Sequence, residues 1–196
     1  MNIDRAAIEK AILAAGGPGP PDWAHRQASV SLLFFDKPPT HFLAILKADR
    51  NGYVWRNQVA LPGGRIDEKD PSSLHAAMRE LREELDIAAD NVDYLGSLGH
   101  FQTLQDTVIE VFVGIWNQRD TIHFDTREIA RVIQVPLESV IRTHFEKRLN
   151  GRLPGMEELL YPVDDLVIWG VTAKILHHFI ERLCTENESS LLSGTA

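Results

Sequence analysis

One segment, residues 71–85, constrains this chain more than any other because its two faces have opposite chemical character. Its apolar side chains recur at intervals of three and four residues: Leu74, Ala77, Met78, Leu81 and Leu85. That spacing predicts an amphipathic helix with one stripe buried in a core. We predict its start at Asp70 and Pro71, since Asp can cap a helix and Pro suits the first turn.

The other face of the predicted helix carries three carboxylates, Glu80, Glu83 and Glu84. At about 100° per residue, Glu83 lies roughly 60° to one side of Glu80 and Glu84 roughly 40° to the other, so all three point into one region. Like charges at these spacings are unfavourable unless something neutralises them, and a divalent cation would do so. A solvated acidic face, interspersed with arginines such as Arg79, is the alternative interpretation of the helix alone.

Two adjacent glycines, Gly63 and Gly64, stand upstream of the helix. Glycine lets a backbone approach a metal ion or a phosphate closely, although a simple turn is the commoner reason for such a pair. Together with Arg-Glu-Leu-x-Glu-Glu at 79–84, the pair resembles the Nudix box, Gly-x5-Glu-x7-Arg-Glu-U-x-Glu-Glu-x-Gly-U, in which U is aliphatic. The matching positions are Gly64, Arg79, Glu80, Leu81, Glu83, Glu84 and Ile87.

Two positions depart from that pattern. Asp70 stands in place of the first Glu, with eight rather than seven residues before Arg79, and it is also explained as a helix cap. Asp86 replaces the final Gly, and we expect it to adopt a left-handed conformation, which Asp tolerates better than most residues. Neither departure removes one of the three carboxylates from the helix.

The resemblance implies an α/β fold, namely a Nudix-type α/β/α sandwich with a mixed central sheet and a catalytic loop-helix-loop. It implies that the helix carboxylates bind Mg²⁺, with Mn²⁺ as an alternative. The residues implied at the catalytic and metal site are Glu80, Glu83, Glu84, Arg79 as their structural partner, and Gly63 through a carbonyl. A further acid from a later loop commonly completes such sites. Glu128 is our candidate, and an ordinary surface glutamate is its alternative interpretation.

The implied reaction is hydrolysis of a P–O–P linkage in a nucleoside diphosphate-linked small molecule, by attack of water on one phosphorus. Bound divalent metals serve such a reaction by lowering the pKa of coordinated water and by holding the attacking and leaving oxygens. One alternative is a different nucleotide substrate, such as a nucleotide sugar, a dinucleotide or a damaged nucleotide. The other is a non-catalytic nucleotide-binding regulator, although such proteins usually lose box glutamates and this chain keeps all three.

Residues 61–64 and 168–176 further resemble the coenzyme A pyrophosphatase branch of the family, which makes coenzyme A or a derivative a candidate substrate. An upstream signature of that branch is broken, because Tyr53 and Asn57 stand where Arg and Gly are expected. The predicted substrate contacts are Arg50, Arg56, Arg65 and Tyr53. The alternatives are surface positions for the arginines and loop packing for the tyrosine.

The remaining pattern predicts one mixed α/β domain over 22–184, preceded by a helix and linker at 1–21 and followed by a mobile tail at 185–196. The strand-like runs lie at 29–35, 41–47, 92–98, 108–116, 129–135 and 159–163. The first two runs pair as a hairpin in our prediction. A helix is predicted to begin near residues 136–139, and a last helix to span 165–183.

The charge composition limits the classes of molecule that the chain is expected to bind. With 20 Lys and Arg against 28 Asp and Glu, the net charge is −8, which disfavours nucleic acid as a partner. The small-molecule diphosphate that the resemblance implies as partner is compatible with this charge, since bound divalent cations can supply positive charge locally. The apolar runs fall short of the roughly 18 residues that span a membrane, and no signal peptide is expected at the start. A single cysteine, Cys184, fits a reducing compartment, so we expect a cytoplasmic protein without membrane partners. A homodimer is a further expectation for its assembly.

Overall fold

A computed structural model of the chain describes residues 5–13, 18–19, 26–35, 38–50, 56–104 and 106–193, with the backbone alone at 186–193. Its helices are α1 (Arg5–Leu13), α2 (Ser73–Leu85), α3 (Leu137–Glu146) and α4 (Gly170–Ser193). Its strands are β1 (Arg26–Phe35), β2 (His41–Lys47), β3 (Val59–Ala60), β4 (Gly63–Arg65), β5 (Val92–Gln102), β6 (Thr107–Trp116), β7 (Ile129–Pro136), β8 (Tyr161–Val163) and β9 (Leu166–Ile168).

Seven strands form one mixed sheet. Its path runs β3-β2-β1-β6-β5, while β4 pairs with β1 and β7 pairs with β2. The β1–β6 pair is parallel, and the other pairs are antiparallel. The predicted hairpin is confirmed, since β1 and β2 pair with Phe34 opposite Phe42. The register brings β4, which contains the two glycines, alongside the start of β1.

Alternating side chains of the central strands bury both faces of this sheet. On β1, Leu32 and Phe34 face the larger apolar cluster, which includes residues of α1, α3 and α4. Leu33 and Phe35 face a second cluster together with Leu81 of α2. A period of two along a strand sends neighbouring side chains to opposite faces. Helices therefore cover both sides, and the predicted α/β/α sandwich with a mixed central sheet is confirmed.

The last helix differs from its prediction at both ends. Instead of starting at Asp165, the chain forms the hairpin β8–β9, turning through Asp164 at φ 51°, and α4 begins at Gly170. Helix α4 then continues past Leu183 to Ser193, because no Gly or Pro interrupts the chain before Gly194. The mobility of 185–196 stays a prediction.

The N-terminal helix α1 packs on the domain. Ile8 and Ala11 of α1 are buried in the cluster that also contains Phe179 of α4. Among the described helices, none combines the length and the apolar character that crossing a membrane demands.

Candidate active site

Helix α2 begins at Ser73, two residues later than the sequence predicted. Its cap is Ser72, whose side chain accepts a hydrogen bond from the backbone N–H of His75 at 3.3 Å, so the assignment of the cap to Asp70 was wrong. The serine hydroxyl satisfies one of the unpaired N–H groups of the first turn. At the other end Asp86 has φ 58°, which confirms the left-handed conformation expected there.

Asp70, released from capping, binds Arg79 instead. Nε and Nη2 of Arg79 donate to the two carboxylate oxygens of Asp70 at 3.1 and 3.0 Å. These bonds lower the pKa of Asp70, and they help to raise that of Arg79. Such paired, charge-assisted bonds fix the guanidinium plane. Asp70, which stands where the Nudix box has Glu, therefore keeps a carboxylate partner for Arg79. The sequence did not predict this role.

Arg79 in turn orients two carboxylates of the α2 acidic face. Its Nη1 donates to Glu80 Oε1 at 2.9 Å and to Glu83 Oε2 at 3.0 Å. Its Nη2 also donates to the backbone carbonyl of Arg65 at 3.0 Å, which ties the helix to β4. The guanidinium is thus occupied on all sides by carboxylates and a carbonyl, as the predicted structural partner of the glutamates should be.

The two glycines allow β4 to lie directly against these carboxylates. A Cβ on Gly64 would lie 2.5 Å from Cδ of Glu80 and 2.6 Å from both of its carboxylate oxygens. Gly63 has φ +144°, and a Cβ there would lie 2.3 Å from the carbonyl oxygen of Ser29 on β1. Gly64 therefore makes room for the carboxylate of Glu80, whereas Gly63 is required by the path of the backbone itself.

Glu84 is the most enclosed of the three glutamates. Its Oε1 accepts a hydrogen bond from Lys47 Nζ at 2.5 Å, and its Oε2 accepts one from the backbone N–H of Gly63 at 2.9 Å. The side chain is 8% exposed and that of Lys47 is 12% exposed. Lys47 was missed as a site residue. Its position as a basic residue ending an apolar strand was the available signal.

The other two glutamates differ in environment. Burial raises the pKa of Glu80, the nearby Arg79 opposes that rise, and the negative charges of Glu84 and Glu83 add to it. Glu83 remains exposed to solvent. Since all three side chains belong to one face of α2 beside a close glycine strand, they offer the oxygen ligands that a hard divalent cation takes from protein. The residues present fit such an ion.

The other residues predicted for the site lie outside the acidic face of α2. The carbonyl of Glu128 accepts a hydrogen bond from the N–H of Ala48, the neighbour of Lys47, which puts Glu128 at the same end of the sheet as Glu84. Arg65 lies on β4 and lines the adjoining cleft. Nη1 of Arg56 lies 4.0 Å from Oδ1 of Asp49.

Arg50 is exposed on the segment after β2. The pKa of Asp125 is lowered mainly by hydrogen bonds from Arg127, and the charge of Arg50 adds to that lowering. The predicted contact Tyr53 lies outside the described residues.

A largely apolar cleft of about 520 Å³ opens beside the two glycines and Lys47. One wall comes from the start of α4 and the residue before it, including Trp169, Thr172 and Ile175. This wall belongs to residues 168–176, for which the sequence predicted no ligand contact. A cleft of this size and character suits the non-phosphate part of a ligand.

The family is settled by sequence comparison. The NUDIX domain model matches residues 25–155 of this chain. The chain belongs to the Nudix family. A relative from Photorhabdus laumondii, named uncharacterized Nudix hydrolase NudL, is 30% identical over 81% of this chain and 86% of its own length.

Solved structures agree on the fold. DR0079 from Deinococcus radiodurans has a TM-score of 0.53 at 15% identity, covering 80% of this chain and 85% of its own. The MutT protein from Methanosarcina mazei has a TM-score of 0.51 at 17% identity, covering 88% of this chain and 96% of its own.

This chain is a Nudix pyrophosphohydrolase that acts on pyrophosphate bonds of nucleoside diphosphate derivatives. Enzymes of this family generally use divalent metal ions.

Proposed function

We propose that this Nudix hydrolase is Mg²⁺-dependent, with Mn²⁺ as an alternative ion, and that Glu80, Glu83 and Glu84 hold the metal. The observation that carries the proposal is the convergence of these carboxylates with the Gly63–Gly64 strand beside a cleft. The bound metal would supply charge neutralisation on phosphate oxygens and a lowered pKa for coordinated water. Gly63 is proposed as a further ligand through its carbonyl.

The chain's own residues position and balance these groups. Arg79 holds Glu80 and Glu83, and Asp70 holds Arg79, so the carboxylates are placed before any ligand arrives. Prepositioned groups avoid the cost of reorganisation during the reaction. Glu128 is proposed as the further acid, beside the end of β2 whose Lys47 binds Glu84. Arg50, Arg56, Arg65 and Tyr53 stay predicted substrate contacts.

For the substrate we propose coenzyme A or a derivative, a molecule with a diphosphate between two organic parts. Residues 168–176, part of the resemblance to that branch, contribute Trp169 to a wall of the cleft beside the glycines. At position 57, where the branch expects Gly, Asn57 has φ 56°. Asn is among the residues that enter this left-handed region most readily, and it is a region that Gly also adopts without strain.

A turnover assay tests the metal assignment. Glu83→Gln and Glu84→Gln should each reduce Mg²⁺-dependent hydrolysis by about 100-fold or more, the scale seen when a group that stabilises developing charge is removed. The control is Glu68→Gln, which changes an exposed glutamate ahead of the helix. Circular dichroism should show native folding in all three. Full activity in both helix variants would refute the assignment.

A substrate panel tests the identity of the ligand. Coenzyme A, an acyl derivative, a nucleotide sugar, a dinucleotide and an oxidised nucleoside triphosphate are compared by kcat/KM with Mg²⁺, identifying both phosphorylated products. Preference for coenzyme A or its derivative supports the proposal, and preference for another nucleotide replaces it with that substrate. The small-molecule partner, the cytoplasmic location and the homodimer are likewise proposals, the last of which gel filtration can test.

A further inference from the structure

A second cluster of ligating groups lies away from the acidic face of α2, between α3 and α4. His144 of α3 and His177 and Glu181 of α4 each offer one ligand atom, and these atoms all lie within 4.8 Å of one another. His177 and Glu181 are four residues apart, so they occupy the same face of α4 one turn apart. His144 is fully buried, His177 is 8% exposed and the Glu181 side chain is 27% exposed.

The hydrogen bonding of His177 leaves one of its nitrogens unused. Nε2 lies 3.2 Å from the carbonyl oxygen of Arg152, which can only accept, so Nε2 must carry the proton. In the neutral ring Nδ1 then holds a lone pair, and this buried atom has no hydrogen-bond partner in the described part of the chain. Burial lowers the pKa of His177, which keeps the ring neutral. An unpartnered buried acceptor is costly unless something binds it.

The neighbouring ligands are oriented from outside the cluster. Glu181 Oε2 accepts a hydrogen bond from the N–H of Gly151 at 2.7 Å, while its Oε1 lies 2.8 Å from Nε2 of His144. On the other side of that ring, Nδ1 lies 3.0 Å from the hydroxyl of Tyr161. Because the carboxylate can only accept, Nε2 carries the proton in the structure as it stands. In the metal-bound ring the proton would instead lie on Nδ1 and be donated to the tyrosine oxygen, which leaves Nε2 free to ligate. Metal-binding histidines typically donate their second nitrogen in this way.

We propose that His144 Nε2, His177 Nδ1 and a carboxylate oxygen of Glu181 form a binding site for a divalent transition-metal ion of the Zn²⁺ class. Two imidazoles and one carboxylate are a ligand set that Zn²⁺ takes in proteins, with water at the open fourth position. The imidazole ligands give this site a preference for such ions, whereas the carboxylates of the α2 face suit Mg²⁺.

The geometry needs only a small adjustment for an ion. Ligands about 2.1 Å from a tetrahedral ion stand roughly 3.4 Å apart. His144 Nε2 and Glu181 Oε1, now 2.8 Å apart, would therefore separate slightly, while any pair of ligand atoms nearer the 4.8 Å limit of the cluster would draw closer. The bound ion would link α3 to α4. Through Gly151 and Arg152 it would also brace the segment that precedes Met156, which lines the substrate cleft. This site is independent of the proposed Mg²⁺ chemistry.

Metal binding is tested on the full chain, stripped with chelator and held in excess Mg²⁺ to occupy the α2 carboxylates. Zn²⁺ titration by calorimetry should show one site, and Co²⁺ should give the visible absorption of a nitrogen-ligated ion. Zn²⁺ at about 100 times its Kd should raise Tm by roughly 5 to 10 °C. His177→Gln, which can still donate to the Arg152 carbonyl, should abolish the titration, the spectrum and the Tm shift.

The matched control is His178→Gln, which replaces the adjacent histidine that instead packs against Phe101. It should bind Zn²⁺ as the unaltered protein does. Glu181→Gln, which keeps an acceptor for Gly151, provides a second disabling variant if His177→Gln does not fold. The proposal is overturned if the unaltered chain binds no Zn²⁺ in excess Mg²⁺, or if a folded His177→Gln or Glu181→Gln variant binds it with undiminished affinity. Turnover with Mg²⁺ alone should be unchanged in His178→Gln.

Discussion

At the scale of single residues, the ion pair between Lys47 and Glu84 couples the stability of the domain to its proposed metal site. Both side chains are nearly enclosed, and the ammonium lies 2.5 Å from the carboxylate. Removing one partner of a buried pair leaves the other charge uncompensated, which is usually much more destabilising than losing an exposed pair. The glutamate therefore depends on a cation, and either Lys47 or a bound metal can supply positive charge to it.

We accordingly predict that Lys47→Met lowers the free energy of unfolding by about 3 kcal/mol in metal-free protein, since Glu84 stays buried without its cation. Excess Mg²⁺ should recover part of this loss by binding the folded state. Urea unfolding with and without Mg²⁺ measures both effects. The control Arg131→Met breaks the exposed pair with Asp165 and should cost under about 1 kcal/mol. Equal losses in the two variants would contradict the prediction.

At the scale of elements, the two adjacent glycines of β4 have different roles: Gly63 allows close contact with the backbone of β1, and Gly64 allows close contact with the Glu80 side chain. Alanine at Gly63 would meet the Ser29 carbonyl and Val30 Cα, both backbone atoms of β1, and would also require φ +144°. At Gly64, the three atoms nearest to an added alanine Cβ all belong to the carboxylate of Glu80, the movable end of a side chain. Gly63→Ala therefore requires the pairing of β4 with β1 to shift, whereas a rotamer change of Glu80 relieves the clash in Gly64→Ala.

Gly63→Ala should therefore lower the free energy of unfolding by about 2 to 4 kcal/mol, through a steric clash combined with backbone strain. Gly64→Ala should cost less than about 1.5 kcal/mol and yet reduce Mg²⁺-dependent kcat by tenfold or more, because Glu80 is displaced. Denaturant unfolding and steady-state kinetics on both variants separate these effects. A Gly64→Ala enzyme with unaltered kcat would show that Glu80 does not need its observed position.

The elements also show why sequence predicted some of this site and missed the rest. The two faces of α2 follow from local spacing, so the grouping of Glu80, Glu83 and Glu84 could be derived without the sheet. Lys47 and Glu84, in contrast, are 37 residues apart and meet only through the arrangement of β2, β4 and α2. The start of α4 was mispredicted for a related reason, since pairing between β8 and β9 overrides the local pattern near Asp165.

At the scale of the whole molecule, the cleft beside the two glycines is assembled from distant parts of the chain. Its walls come from β1, β3 and β4, from Thr103, Leu104 and Thr107, and from the start of α4. The family match ends at residue 155, so Trp169 and the first turn of α4 contribute to the cleft from outside the matched region. We infer that the shared chemistry resides in α2 and β4, while substrate preference depends on this later segment.

Trp169→Ala tests that division of roles. The side chain is 44% exposed beside the cleft, so a ligand could cover its ring, and losing that contact should cost about 1 to 2 kcal/mol of binding. We predict a rise in KM of roughly 5- to 30-fold for the preferred substrate, with kcat changed less than about twofold, because the α2 carboxylates are untouched. The matched control is Val167→Ala, an equally exposed apolar residue on β9 outside the cleft lining, which should leave both constants unchanged. A fall in kcat at constant KM would instead assign Trp169 to positioning the reacting groups.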